Sequence, residues 1–169
     1  LSRAHGKTPR EPWQYGDLAL KNVKEWINFR HRLAPYLYHT ACQSHQFGIP
    51  MIRPLVMEYP KDPIAKMQNL SYMLGDALLI SPGFDRDEYE LYLPEGRWQD
   101  IESKEVHVGK TFVHIENKAF ADGGTSLRVF QKEGTSIPLF AQKEVLHVPA
   151  QLWKQEDLEF MTFQKKDVD

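Results

Sequence analysis

Apolar residues recur at three- and four-residue steps between residues 17 and 47, with charged residues between them. This spacing places the apolar side chains on one face and predicts a long amphipathic helix. Asp17 suits the N-cap position, and Gly48 followed by Pro50 predicts the end of the helix. Pro35 lies inside the pattern and predicts a kink or a division into two helices, because proline lacks an amide donor.

The next two segments predict a buried strand and a further helix. Residues 51–59, MIRPLVMEY, form a nearly continuous apolar run, as in a strand buried on both faces, although Pro54 weakens this prediction. Residues 62–74 carry helix signals, with Asp62 as the cap, Pro63 in the first turn and Gly75 after the end. A helix, a buried strand and a helix form part of an α/β layer structure, so we expect further elements before them.

The rest of the chain alternates short apolar runs with glycine and proline turn signals. Tyr89, Leu91 and Leu93 occupy alternate positions, as in a half-buried antiparallel strand. Predicted strands cover residues 77–82, 89–93, 105–108, 111–116, 126–131, 136–140, 144–148 and 158–163. This pattern predicts a β-sandwich or barrel, and the expected fold class is therefore α/β followed by all-β.

Composition narrows the class of protein. The 169 residues are 41% hydrophobic and 26% charged, which are globular values and argue against disorder. A net charge of -2 favours no nucleic-acid partner. The longest apolar runs are far shorter than the roughly 20 residues that cross a bilayer, so we expect no membrane partner. Cys42 is the single cysteine, which precludes an internal disulfide and favours a reducing, cytoplasmic location.

Several blocks in a fixed order resemble a known family. They are SRAHG and PREPW at the start, RHRLAPYLYHTACQSHQFGIPMIRPLVMEYPKDP, LSYMLGDALLISP and YLPEGRW. Together they resemble the C-terminal part of family 31 glycoside hydrolases, the α-glucosidase and α-xylosidase group. The resemblance implies the terminal piece of a (β/α)8 catalytic barrel over residues 1–75, an antiparallel proximal β-sandwich over 76–148, and the start of a distal β domain over 149–169.

The resemblance also implies an activity, that of a retaining α-glycosidase that hydrolyses terminal α-linked glucose or xylose without a metal or other cofactor. Such enzymes use two carboxyl groups about 5 to 5.5 Å apart. In the family both are aspartates that precede the SR-x-H segment, so we expect no catalytic residue in this chain and no activity of the chain alone. The implied partners are an α-glucoside or α-xyloside and the remainder of the same enzyme. Members often associate, so a homo-oligomer is an open alternative.

His5 is the candidate substrate-binding residue. It matches the histidine of the family's SR-x-H loop, which hydrogen-bonds sugar hydroxyls in the subsite where cleavage occurs. A neutral imidazole both donates and accepts, and such bonds can strengthen in the oxocarbenium-like transition state. Without the resemblance, His5 would be interpreted as a loop histidine that caps a turn or faces water. Arg3 is interpreted as a structural partner.

Two acidic segments have simpler structural interpretations. Glu58 follows a predicted strand, as catalytic carboxylates in barrels often do, but it has no partner acid, and Arg53 is expected to be its counter-charge. Residues 85–90, DRDEYE, lack the central glycine and the distal glutamate of a calcium loop. A solvated acidic turn is the expected structure there.

The remaining candidates are histidines, tryptophans and the cysteine. The spacing of His107, His114 and His147 does not indicate the convergence that a zinc site needs. Trp13 is the best candidate among four tryptophans for stacking on a sugar, although aromatic residues more often lie in cores. Cys42 is interpreted as an inert buried thiol.

Two other functions remain open at this stage. One is a free-standing β-sandwich module that binds carbohydrate without cleaving it, and the other is a structural interaction protein. Residues 1–75 argue against the module, because it would not need a buried strand between two helices with apolar faces.

Overall fold

The structure, a computed structural model, describes residues 6–83, 88–116, 127–141 and 154–164. Helices lie in the first part of the chain and antiparallel strands in the rest. The helices are α1 Asp17–Arg32, α2 Ala34–Phe47 and α3 Leu55–Glu58. The strands are β1 Ile52–Pro54, β2 Tyr72–Leu74, β3 Leu78–Ser81, β4 Glu88–Leu93, β5 Arg97–Asp100, β6 Val106–Val108, β7 Thr111–Glu116, β8 Arg128–Lys132, β9 Thr135–Phe140 and β10 Leu158–Phe163.

The long predicted helix is divided in two at the expected place. Helix α1 ends at Arg32, and Pro35 lies in the first turn of α2, where its missing amide costs no helical hydrogen bond. Gly48 ends α2 in the left-handed conformation, with φ of 71°. The N-cap prediction was wrong: Gly16 occupies that position, and Asp17 lies in the first turn, where a carboxylate favours the positive end of the helix.

The predicted buried strand over residues 51–59 is mostly not a strand. Only β1 (Ile52–Pro54) is extended, and it lies at the edge of a sheet, where a proline without an amide donor is tolerated. The chain then turns into the short helix α3. The apolar run therefore supplies one edge strand and a buried Leu55 rather than a central parallel strand.

The predicted helix over residues 62–74 is also wrong. A 3-10 helix covers Ala65–Met67, and β2 follows at Tyr72–Leu74. The N-cap of this 3-10 helix is Ile64 rather than the predicted Asp62, although Asp62 Oδ1 accepts the amides of Ile64 at 2.9 Å and Ala65 at 3.1 Å. Strand β2 pairs with β1 on one side and β3 on the other, so sheet pairing satisfies the backbone groups that a helix would have satisfied internally.

The antiparallel prediction for the second half is confirmed. Six strands form one sheet in the order β1-β2-β3-β8-β5-β6, and β4–β7 and β9–β10 form two-stranded sheets. Seven of the predicted strands are present with ends within two residues of the prediction, whereas the strand predicted at 144–148 lies outside the described residues. Strand β5 was not predicted. The arrangement of the sheets as a sandwich stays a prediction, as do the domain bounds at residues 75 and 148.

Apolar residues cover both faces of the six-stranded sheet. Because side chains alternate along a strand, Leu79 joins a core cluster with Leu91 and Leu93 of β4, whereas Leu78 of β3 joins a second cluster with Leu33 and Tyr36 beside the helices. Strand β3 is thus buried along its whole length. The sheet lies between the two-stranded β4–β7 sheet on one face and helices α1 and α2 on the other.

Tyr36 joins helix α2 to the hairpin between β2 and β3. Its hydroxyl donates to the carbonyl of Leu74 at 2.7 Å and accepts the amide of Ala77 at 3.2 Å. Gly75, between these two residues, has φ of +62°, and a Cβ there would lie 2.3 Å from the Tyr36 hydroxyl. Residue 75, the predicted end of the barrel piece, therefore lies in the tight turn between two paired strands.

Candidate functional site

The predicted substrate-binding residue, His5, lies outside the described residues, as does Arg3. The described chain begins at Gly6, and residues 6–10 are exposed. Residues Pro12–Tyr15 form a 3-10 helix with Glu11 as an extended N-cap, and Gly16 follows with φ of 93°. Residues 6–16 thus lead directly into the start of α1.

The three described tryptophans differ in exposure. Trp13 is 61% exposed and lies in the same 3-10 helix as Tyr15, which is 65% exposed. Trp26 on α1 packs edge-on against Phe29 with the ring centres 5.8 Å apart. Trp98 is fully buried and donates its indole N–H to the carbonyl of Pro94 at 2.8 Å. Trp13 therefore has the open ring that stacking on a sugar requires, whereas Trp98 is a core residue.

The pairing predicted for Glu58 is confirmed. Arg53 Nη1 donates to Glu58 Oε1 at 2.9 Å, and Arg53 Nε donates to the carbonyl of Pro50 at 2.8 Å. Arg53 is buried, so the glutamate neutralises a guanidinium that would otherwise be costly to bury. The ion pair fixes the passage from β1 to α3.

His107 and His114 lie on described strands, and each contacts a residue of another strand. His114 Nδ1 lies 2.9 Å from Glu90 Oε1 across the β4–β7 pair, and this hydrogen bond raises the pKa of His114 above its ordinary value. The ring of His107 on β6 lies edge-on to Phe130 on β8 of the same sheet, with the ring centres 5.9 Å apart. Within the described ranges, no three histidine, cysteine or acidic side chains converge in a way that suits a metal ion. His147 and residues 85–87 of the acidic turn lie outside the described residues.

The prediction of a buried thiol was wrong. Cys42 is exposed on the outer face of α2, beside His45 and Gln46. The helical pattern predicted α2 correctly but did not indicate which face of α2 is covered. None of the described helices has the length and apolar character needed to cross a bilayer.

Many apolar side chains in the first part of the described chain are exposed. No residue of α1 is fully buried. Trp26 and Phe29 face the sheet, but Leu20 and Ile27, seven residues apart, lie on the opposite side of α1 and are exposed. Further exposed side chains of this kind are Trp13, Tyr15, Leu18, Tyr38, Phe47, Ile52, Val56 and Met57. Apolar side chains on two sides of a helix are typical of a helix that packs against other elements on both sides.

Two matches to protein families cover most of the chain. The glycosyl hydrolase family 31 C-terminal domain matches residues 48–144, and the TIM-barrel domain of the same family matches residues 1–40. Because the first match alone covers more than half of the chain, this protein belongs to glycosyl hydrolase family 31. The family resemblance of the sequence blocks is confirmed, and so is the presence of the end of a barrel.

The names of individual relatives describe enzymes that act on glycosides. The chain is 33% identical over 80% of its length to a 1,6-alpha-glucosyltransferase of Sporosarcina globispora, and 34% identical over 76% to human neutral alpha-glucosidase AB. Among solved structures, it is similar to a Flavobacterium johnsoniae GH31 dextranase complexed with glucose, with 31% identity, 80% of the chain covered and a TM-score of 0.71. A Listeria monocytogenes cycloalternan-forming enzyme has 29% identity, 95% coverage and a TM-score of 0.78.

The chain corresponds to a small part of these proteins. It spans 11% of the glucosyltransferase, 14% of the human glucosidase and 16% of each of the two solved chains. Their activities therefore belong to much longer polypeptides.

Proposed function

We propose that this chain is the C-terminal part of a retaining α-glycosidase that hydrolyses terminal α-linked glucose or xylose residues. The observation that carries the proposal is the succession of two family matches in one chain, first the TIM-barrel domain and then the C-terminal domain. A carbohydrate-binding module without catalysis is disfavoured, because it would have no barrel segment.

The uncovered side of the helices supports the same proposal. A helix with exposed Leu20 and Ile27 on one side and Trp26 on the other needs a second neighbour to remove its apolar surface from water. In the proposed enzyme this neighbour is the earlier part of the barrel. The catalytic aspartates are proposed to lie in that earlier part, before residue 1.

His5 is proposed to hydrogen-bond a substrate hydroxyl. Replacing His5 by Ala in the full-length protein removes one donor-acceptor group from the sugar, so we expect kcat/KM to fall by about tenfold or more with an unchanged melting temperature. Steady-state kinetics with a chromogenic α-glucoside measure the change. Arg10→Ala, in the exposed part of the same loop, is the matched control. An unchanged kcat/KM for His5→Ala would remove the assignment.

The proposal as a whole is tested by comparing two polypeptides. The 169-residue chain alone is expected to show no turnover of a chromogenic α-glucoside or α-xyloside, because both carboxylates of the mechanism are proposed to lie before residue 1. The full-length protein is expected to hydrolyse one of them with retention of anomeric configuration, which proton NMR of the first product shows. Turnover by the short chain would place the acids within it and contradict the proposal.

Transfer of a glucosyl unit is a second candidate, favoured by the names of two relatives. One is a 1,6-alpha-glucosyltransferase and another is a cycloalternan-forming enzyme. A retaining enzyme can pass its glycosyl intermediate to a sugar hydroxyl instead of water. Products larger than the substrate at high substrate concentration, detected by mass spectrometry, would favour transfer, whereas free monosaccharide alone would favour hydrolysis. A metagenomic GH31 alpha-xylosidase, 25% identical, leaves xylose as an alternative sugar.

A further inference from the structure

A cavity of about 550 Å³ lies where helix α1 meets the β9–β10 hairpin and the turn after β5. Its size lies within the range of roughly 300 to 1,000 Å³ that is common for small-molecule sites. Three aromatic side chains line it: Trp26 and Phe29 from α1, and Phe160 from β10. Phe160 is 55% exposed, so its ring stands open at the cavity rather than packing into the core.

The charged groups of the wall are largely neutralised by one another. Arg32 forms an ion pair with Glu159 and also donates its Nε to the carbonyl of Phe140 at 2.9 Å. Glu102 lies 3.2 Å from Arg128. The two remaining charged side chains of the wall, Glu25 and Lys104, have opposite signs. The cavity therefore has no excess charge of one sign that would favour an ionic ligand, and a neutral ligand fits it.

Two polar side chains of the wall are left available for hydrogen bonds. Neither Glu25 nor the Lys104 side chain has a hydrogen bond or ion pair with another described residue, and they line the cavity from opposite elements. Asp100 Oδ1 accepts the amides of Glu102 at 2.7 Å and Ser103 at 3.1 Å. These hydrogen bonds fix the backbone of the turn that carries Lys104. The site thus offers one acceptor and one donor beside aromatic rings.

We propose that this cavity binds an oligosaccharide of α-linked glucose. Sugar rings present apolar C–H faces to aromatic rings and hydroxyls to mixed donors and acceptors, and this cavity supplies both. The choice of glucose rests on the proposed glycosidase function. The site is built by residues of the β9–β10 hairpin and α1 that the sequence patterns did not bring together.

The test is hydrogen exchange measured by mass spectrometry on the full-length protein with thio-linked maltotriose, which a glycosidase does not cleave. We expect the ligand to slow amide exchange in the peptides that cover residues 101–104 and 158–161. Phe160→Ala removes one aromatic contact and is expected to raise the half-maximal ligand concentration about fivefold. Glu25→Gln, which keeps the size of the side chain, is expected to raise it as well.

Phe112→Ala is the matched control, since Phe112 is 49% exposed on β7 and does not line the cavity. It should leave the half-maximal concentration unchanged. No protection of these peptides in the wild type, or equal protection in Phe160→Ala and the wild type, would overturn the cavity site. Hydrolysis of a chromogenic α-glucoside by the wild type is assayed in parallel. A protein that hydrolyses the glucoside without protecting these peptides keeps the proposed function and loses this site.

Discussion

Replacing Gly75 by alanine adds a single methyl group and tests how helix α2 packs against the turn between β2 and β3. A Cβ on Gly75 would lie 2.3 Å from the Tyr36 hydroxyl and 2.6 Å from Thr40 Cγ2, at a φ of +62°. Gly75→Ala therefore combines overpacking with left-handed strain, and we expect it to lower the free energy of unfolding by about 2–4 kcal/mol. Urea denaturation measures the loss.

Gly48 provides the control for this substitution. It also has positive φ, +71°, but a Cβ there meets nothing within 4 Å. Gly48→Ala should cost only the backbone strain of about 1 kcal/mol. Equal losses for the two variants would mean that the contact with Tyr36 does not constrain the turn.

The hydrogen bond between Tyr92 and Asp62 makes the stability of the fold depend on pH in the acidic range. Tyr92 donates to Asp62 Oδ2 at 2.6 Å, and this bond is the main cause that holds the pKa of Asp62 below its ordinary value. The stabilisation is present above the unfolded pKa of about 3.9 and is lost as the pH falls through the lower folded pKa. Tyr92→Phe is therefore expected to flatten the fall of stability below about pH 4.

Tyr89→Phe is the comparison for this pH effect. The Tyr89 hydroxyl lies 3.1 Å from Ser81 Oγ and has no carboxylate partner among the described residues. Its loss should lower stability by about 1 kcal/mol without changing the acid slope. Unfolding by urea at several pH values between about 2 and 7 separates the two variants, and parallel slopes would contradict the role of Tyr92.

At the scale of elements, α1 has an apolar side that the described chain leaves open. Ile27 is 48% exposed, so Ile27→Glu in the 169-residue chain should change the free energy of unfolding by less than about 0.5 kcal/mol. In a full-length protein whose barrel covers this side, the same charge would be buried, and we expect a loss above about 2 kcal/mol. Thermal and urea unfolding of both forms give the comparison.

Lys21→Glu, on an exposed part of the same helix, is expected to have the same small effect in both forms. If Ile27→Glu were equally mild in the full-length protein, the barrel would not cover this side of α1. The proposed arrangement of the enzyme would then need another neighbour for the helix.

The elements that could be predicted are those with local signals. Pro35 and Gly48 act through the backbone itself, and their effects on α1 and α2 were predicted correctly. Residues 62–74 have equally good helical signals, but pairing of β2 with two neighbouring strands decides their structure. A segment with only three residues in its strand has too little internal pattern to indicate such long-range pairing.

The candidate site could be predicted only in part for a related reason. The Arg53–Glu58 pair is local in sequence and was predicted, whereas the cavity joins Trp26 to Phe160 across most of the chain. The exposure of Cys42 depends on which face of α2 is covered, and a weakly amphipathic helix does not indicate that. Burial of Trp98 follows from the turn at Pro94, whose carbonyl holds the indole.

At the scale of the whole molecule, the chain is the end of a family 31 barrel joined to an antiparallel β region. The six-stranded sheet buries both of its faces within the described residues, whereas the outer side of α1 is open. The sheet, with α1 and α2 packed against one of its faces, is therefore the part of the described chain that has a core. We expect limited proteolysis of the 169-residue chain to cut first within residues 6–16 and to leave the sheet intact, which mass spectrometry of the fragments would show.

The hydrogen bonds between the Tyr36 hydroxyl and the turn at Leu74 and Ala77 also affect when helix α2 can fold during synthesis. Helix α2 leaves the exit tunnel some forty residues before its two backbone partners, as the separation of 41 positions between Tyr36 and Ala77 requires. Until these partners emerge, the Tyr36 hydroxyl cannot form its native hydrogen bonds. A nascent chain arrested before the β2–β3 hairpin has left the tunnel should thus still bind chaperones, and this binding should end when the hairpin emerges.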